Sequence, residues 1–138
     1  MVNPALIHLL DINPVEIQNN ISKDNFNINE VGIAHNMMHN LKENNIKIFL
    51  SLALFDEKEQ IILKSDYDFI YKVDNLEENY KINDEGETVF NATLVKTLLG
   101  MSYSTLRGII FNEFIPVDKI IIPIIDPQLI LENRIKIT

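Results

Sequence analysis

Cysteine is absent from the 138-residue sequence. Without thiols there is no disulfide framework, no thiolate metal site and no thiol nucleophile, a composition in keeping with a reducing cytosol. Glycine is scarce as well, with four residues and no cluster, which excludes the phosphate-cradling loops of nucleotide-binding proteins. Basic residues are outnumbered, twelve against twenty acidic, and the formal charge of -8 argues against a general affinity for nucleic acid or anionic membranes. No apolar run reaches the roughly 20 residues that a membrane helix needs. The longest, residues 120–125, is short and contains Pro123. The start, Met1-Val2-Asn3-Pro4-Ala5-Leu6, lacks the basic and continuous apolar stretches of a secretory signal, so no export is expected. A cytoplasmic protein without membrane insertion is the resulting expectation.

What the sequence does contain is aliphatic surface. Hydrophobic residues make up 46% and charged residues 23%, enough of the former to build a core and argue against disorder. A single domain over residues 1–138 is the simplest division, and self-association would add buried area to so small a unit. Residues 5–12 form a β-leaning apolar run closed by Asn13-Pro14, after which Val15-Glu16-Ile17 resumes alternation. This predicts a first strand with a bend or bulge at Pro14, which removes a ladder donor. Residues 19–29 read as a loop. In residues 30–41, Val31, Ile33 and Met37 suit a strand, whereas Ala34, Met38 and Leu41 suit a helical face; a strand is the reading adopted. Residues 46–55 alternate with β-branched and aromatic side chains, residues 56–59 form a polar turn, and residues 60–73 supply the second arm of an antiparallel hairpin.

An acidic linker follows over residues 74–87, and Thr88 or Asp84 is expected to cap a helix. Phe90, Leu94, Val95, Leu98, Met101, Leu106, Ile109 and Ile110 recur at helical spacing and predict one broad apolar face. Gly100 and Gly108 interrupt that pattern, each at a helix cost of about 1 kcal/mol relative to Ala, and are read as sites of close packing. Phe114-Ile115-Pro116 should end the helix. Residues 120–125 then read as an extended crossover, and Pro127 as the start of a short helix through Leu131. The predicted class is α+β: a four-stranded antiparallel sheet followed by one long helix, an extended crossover and a short C-terminal helix.

The residues that carry chemistry give little. His35 and His39 have the spacing of a helical zinc pair, but Asn36 stands where the protease motif needs Glu, and no third ligand is signalled. Neither metal nor any other cofactor is assigned. Ser102, Ser104 and Thr105 lack a nucleophile elbow and read as helix-packing residues. The acidic linker lacks the ligand spacing of a calcium loop. No catalytic residue is assigned, and a binding protein rather than an enzyme is expected. Met37, Met38, Met101, Phe111, Phe114 and the isoleucine run make an adaptable apolar inventory, divided between core and binding surface.

The order of these parts resembles the SecB family of export chaperones over most of the chain. Ile48-Phe49-Leu50-Ser51-Leu52-Ala53-Leu54, then Glu59-Gln60-Ile61-Ile62-Leu63 and Phe69-Ile70-Tyr71-Lys72-Val73, are similar to that family's central hairpin. Tyr103-Ser104-Thr105-Leu106-Arg107-Gly108-Ile109-Ile110 is similar to its helix motif around an arginine, and residues 121–129 resemble the Leu-Ala-Pro-Val-Asn segment that crosses to the last helix. The resemblance implies a homotetramer, a dimer of dimers, that holds unfolded polypeptide clients in apolar grooves without nucleotide. It places Met37, Phe49, Phe111, Phe114, Ile120 and Ile122 in the client-binding groove. Two departures bear on the SecA motor. Lys64 in Leu63-Lys64-Ser65 reverses the charge of the family's motor-contacting strand, and the chain ends at Arg134-Ile135-Lys136-Ile137-Thr138 without the family's acidic tail. Docking to a SecA-type motor is therefore doubtful, and an adaptor serving one dedicated partner, such as a toxin–antitoxin or phage component, is the alternative reading.

Overall fold

A computed structural model describes residues 2–21, 28–113 and 125–131. Four strands, β1 (Ile7–Asn19), β2 (Glu30–Asn40), β3 (Asn45–Phe55) and β4 (Ile61–Val73), form an antiparallel sheet in the order β1-β4-β3-β2. A two-stranded ladder of β5 (Tyr80–Ile82) and β6 (Thr88–Phe90) follows, then helices α1 (Ala92–Glu113) and α2 (Pro127–Leu131). This is the expected α+β layout of sheet, long helix and short last helix. The crossover expected between the helices lies outside the described residues, apart from Ile125.

The central hairpin forms because its two arms alternate in register. Ile46, Ile48, Leu50, Leu52 and Leu54 of β3 stand opposite Tyr71, Phe69, Tyr67, Ser65 and Leu63 of β4, and this inner face is buried. Side chains of that size contribute about 1.5–3 kcal/mol each when taken fully out of water, so the paired rows anchor the domain. Helix α1 packs on β3 and β4 with Leu94, Leu98, Ser102, Leu106 and Ile110, a spacing of four that keeps them on one stripe. The β3–β4 turn is held by Asp56, whose Oδ1 accepts from the amides of Lys58 and Gln60 at 2.9 Å each.

Several local expectations are corrected. Thr88 and Asp84 do not cap the helix: Thr88 belongs to β6, and Asn91 takes the cap, its Oδ1 accepting from the Thr93 amide at 2.8 Å. Phe90 is a strand residue, not part of the helix stripe. The acidic linker is also structured, with a 3₁₀ turn over Leu76–Asn79 and the β5–β6 ladder. Leu76 is fully buried and ties that turn to the core. Gly100 does mark a close approach, since a Cβ there would lie 3.0 Å from Pro127 Cγ, whereas Gly108 faces open space.

Candidate functional site

Strand β1 is an edge strand, paired only with β4 among the described residues. Its register slips between Leu9 and Asp11 and again between Pro14 and Glu16, leaving Leu10 and Val15 as supernumerary residues. Proline is tolerated here because an edge strand need not donate from every amide. Following the register, Ile7, Leu9, Ile12, Pro14 and Ile17 share the inner face with Val73, Tyr71, Phe69, Tyr67 and Ser65 of β4. The β4 row is buried under α1, but the β1 row is not covered in the same way: Leu9 and Ile17 are 39% and 40% exposed. At the two slips Leu10 and Val15 are more exposed still, at 54% and 55%. The result is an apolar strip beside a hydrophobic floor, open along a strand whose outer backbone edge has no partner among the described residues.

Polar groups beneath and beside this strip are few. The Ser65 hydroxyl, level with Ile17 and Leu52, is fully buried and makes no hydrogen bond among the described residues. Burial pushes the Tyr67 phenol above its ordinary pKa, and the Glu113 carboxylate at the end of α1 adds to the shift. Tyr71 is raised by burial as well. This wall of the sheet favours neutral groups.

The six residues assigned to a client groove are distributed unevenly. Met37 lies on the inner face of β2, level with Ile48, and is half-buried against the core. Phe49 lies on the opposite face of the sheet, level with Asn36 and Asp68, so it and Met37 do not face one another. Phe111 is half-buried near the end of α1, with the Arg107 guanidinium 5.1 Å from its ring centre. Phe114, Ile120 and Ile122 lie outside the described residues. Sequence reading missed Leu9, Leu10, Val15 and Ile17. The available signal was apolar residues at both parities of one strand, Leu9, Val15 and Ile17 against Leu10 and Ile12, which a single sheet face cannot bury.

The other candidate groups are engaged locally. His35 and His39 sit on a strand rather than a helix, which separates them by roughly 13 Å at about 3.3 Å per residue. His39 packs edge-on against Phe90, with ring centres 5.2 Å apart. Among the described residues no three His, Cys, Asp or Glu converge as metal ligands. Ser102 and Thr105 hydroxyls donate to helical carbonyls of Leu98 and Met101, at 2.7 and 2.8 Å. On the outer face, Lys64 bridges Asp66 at 3.3 Å and Glu16 at 3.5 Å, and the hydrogen bond and charge of Asp66 hold its ammonium above the ordinary lysine pKa. Asp66 is buried and also accepts from the Ser51 hydroxyl. The charge of Lys64 is thus answered within the sheet. Among the described residues no helix is long and apolar enough to cross a membrane.

No protein-family model, curated protein or solved structure matches this chain.

Proposed function

We propose that the protein is an ATP-independent, SecB-like holding chaperone of the cytoplasm, which keeps unfolded or export-bound polypeptides in an apolar trough. The observation that carries this reading is the exposure of Leu9 and Ile17 on the inner face beside the buried row of β4, with Leu10 and Val15 exposed at the slips of the same edge strand. Extended, apolar clients have what such a strip lacks: side chains to cover it. Self-association is compatible with holding, because edge pairing uses the backbone in the plane of the sheet whereas the inner-face side chains project out of that plane. Two copies joined edge to edge would run the strip across their junction, and the proposed assembly is a dimer of dimers. A SecA-type motor is left out of the proposal, since Lys64 stands where the resemblance implies an acidic residue and the carboxylates beside it, Glu16 and Asp66, are engaged by it.

The test is suppression of client aggregation, followed by light scattering, with the full chain and no nucleotide. Stoichiometric protein is expected to suppress scattering by an unfolded client, and a Leu9→Ser, Ile17→Ser variant to lose most of that effect. Undiminished scattering with the unaltered protein would count against holding. A second reading, an adaptor for one dedicated partner such as a toxin–antitoxin or phage component, is supported by the exposed aliphatic residues of the β5–β6 ladder, Ile82 and Val89. Recovery of one stable partner from the host favours the adaptor, and a mixture of unfolded chains favours holding.

A further inference from the structure

What β1 offers in exposed aliphatic side chains, the opposite edge of the sheet offers in regular backbone. Strand β2 is paired only with β3 among the described residues, and its eleven residues keep one register with neither slip nor proline. The direction of its hydrogen bonds follows from the neighbouring ladder. The Val73 amide donates to the Asn44 carbonyl at 2.9 Å, and alternation from that rung makes the even-numbered residues of β3 bond to β4 and the odd-numbered ones to β2. The β2 residues opposite those odd positions are even-numbered. Val31, Ile33, His35, Met37 and His39 therefore turn their N–H and C=O groups away from the sheet. The Met37 amide bears this out, since it donates to Oδ1 of the adjacent Asn36 at 2.9 Å. Val31 is fully buried, which closes that end of the edge, whereas residues 33–40 are all half-buried or exposed. A straight, uncapped edge of this kind is a template for another strand.

Charge and side-chain size select the occupant. In a chain of formal charge -8, residues 31–40 contain no Asp, Glu, Lys or Arg, so two copies can meet here without bringing like charges together. Turned antiparallel about a twofold axis at Asn36, the open stretch pairs with itself along its whole length. On the inner face Ile33 of one copy stands opposite His39 of the other, and His35 opposite Met37. Ile33 and Met37 already pack against the core, so the junction continues it. On the outer face Met38, 55% exposed, comes opposite the small side chain of Ala34, and Asn36 meets its own counterpart. The bond from the Met37 amide to Asn36 is exchanged for one to the backbone of the other copy. A foreign strand would gain the backbone bonds alone. The second copy matches the side chains as well.

We propose that β2 is a self-pairing edge, along which two copies of the chain join antiparallel over residues 33–40, with Asn36 on the twofold axis, into one continuous sheet. The contact uses none of the exposed residues of β1, so it and the holding role can each fail without the other. Because the chain has no cysteine, a single introduced thiol reports the pairing. Residues facing one another on the axis as a non-hydrogen-bonded pair have Cα atoms about 4.5 Å apart, within reach of a disulfide. The full-length Asn36→Cys variant, oxidised with glutathione disulfide, is expected to give a covalent dimer on a non-reducing gel. It should form at least about tenfold faster than with Ser104→Cys, an equally exposed thiol on α1, because pairing holds the two thiols together. Ala34→Lys with Met38→Lys, both at exposed positions that meet only across the junction, should lower the oligomeric mass by light scattering while leaving the circular dichroism unchanged. Equal cross-linking rates at positions 36 and 104, or lysines that leave the mass as it was, would each overturn the contact.

Discussion

Buried hydroxyls in this protein fall into two kinds, and the difference is one of bookkeeping between donors and acceptors. Ser102 has a single hydroxyl hydrogen, and it goes to the Leu98 carbonyl at 2.7 Å. The 2.8 Å contact with Tyr71 therefore has the tyrosine as donor. Ser65 has no such arrangement, and an unmet buried group of this kind costs about 1–3 kcal/mol. Nothing among its neighbours explains why serine stands there. Tyr103 gives the residue scale its test. Burial pushes its phenol up to about 12 from 10.0, with the Arg107 charge acting the other way. The folded chain then keeps a proton that the unfolded chain has lost, so this contribution is full below pH 10 and disappears as pH rises towards about 12. Stability by urea denaturation should fall across that window, and Tyr103→Phe should remove a share on the order of 2 kcal/mol of the fall. A profile equally steep in the variant would place the alkaline loss elsewhere, with Tyr67 and Tyr71 as the other raised phenols.

Among the elements, the two glycines of α1 make an internal comparison. Gly108 is exposed and meets nothing within reach of an added Cβ, so Gly108→Ala should stabilise by about 0.5–1 kcal/mol through helix propensity alone. Gly100→Ala has the same propensity gain but drives a methyl to 3.0 Å from Pro127 Cγ, and should show none of the benefit as α2 is pushed aside. Thermal melts of the two variants check the difference, and equal gains would mean that α2 yields freely. The same elements show what the sequence could reveal. Strands β3 and β4 were legible because one parity of each is apolar through the whole length, and Pro127 announced α2 correctly. The start of α1 was misplaced because Asp84, Thr88 and Asn91 are all competent caps and only the ladder, formed at a distance, decides among them. Tyr80, Ile82, Val89 and Phe90 were submerged in a reading dominated by carboxylates. Three rungs are too few for alternation to stand out. Met101, placed by spacing on the apolar stripe, is 38% exposed because that stripe follows Leu98, Ser102 and Leu106 instead.

At the scale of the whole molecule, the sheet has one face under α1 and two edges, and the edges differ. Strand β1 brings four exposed aliphatic residues to its edge, while β2 exposes Met38 among asparagines and histidine. Natural sheets guard such edges with charge or irregularity. Here the two slips and the carboxylates Asp11 and Glu16 guard the edge incompletely, since Leu10 and Val15 beside them are exposed; lysine at both slips, Leu10→Lys with Val15→Lys, should lower the oligomeric mass seen by size exclusion with light scattering. An unchanged mass would move the assembly contact away from β1. The exposed aliphatic residues of β1 were the least legible part of the sheet, because which face a strand residue occupies follows from register, and register on β1 depends on two slips that alternation alone does not count.

Those slips have a further consequence for the history of the strand. The thirteen residues of β1 run alongside only residues 63–73 of β4, so two positions have no opposite number. Loss of Leu10 or of Val15 would heal one slip and leave every remaining residue on the face it now occupies. Elsewhere in a ladder a single deletion inverts everything beyond it. The edge that faces outward is therefore also the part of the sheet where chain length can drift by a residue without reversing the fold's inside and outside.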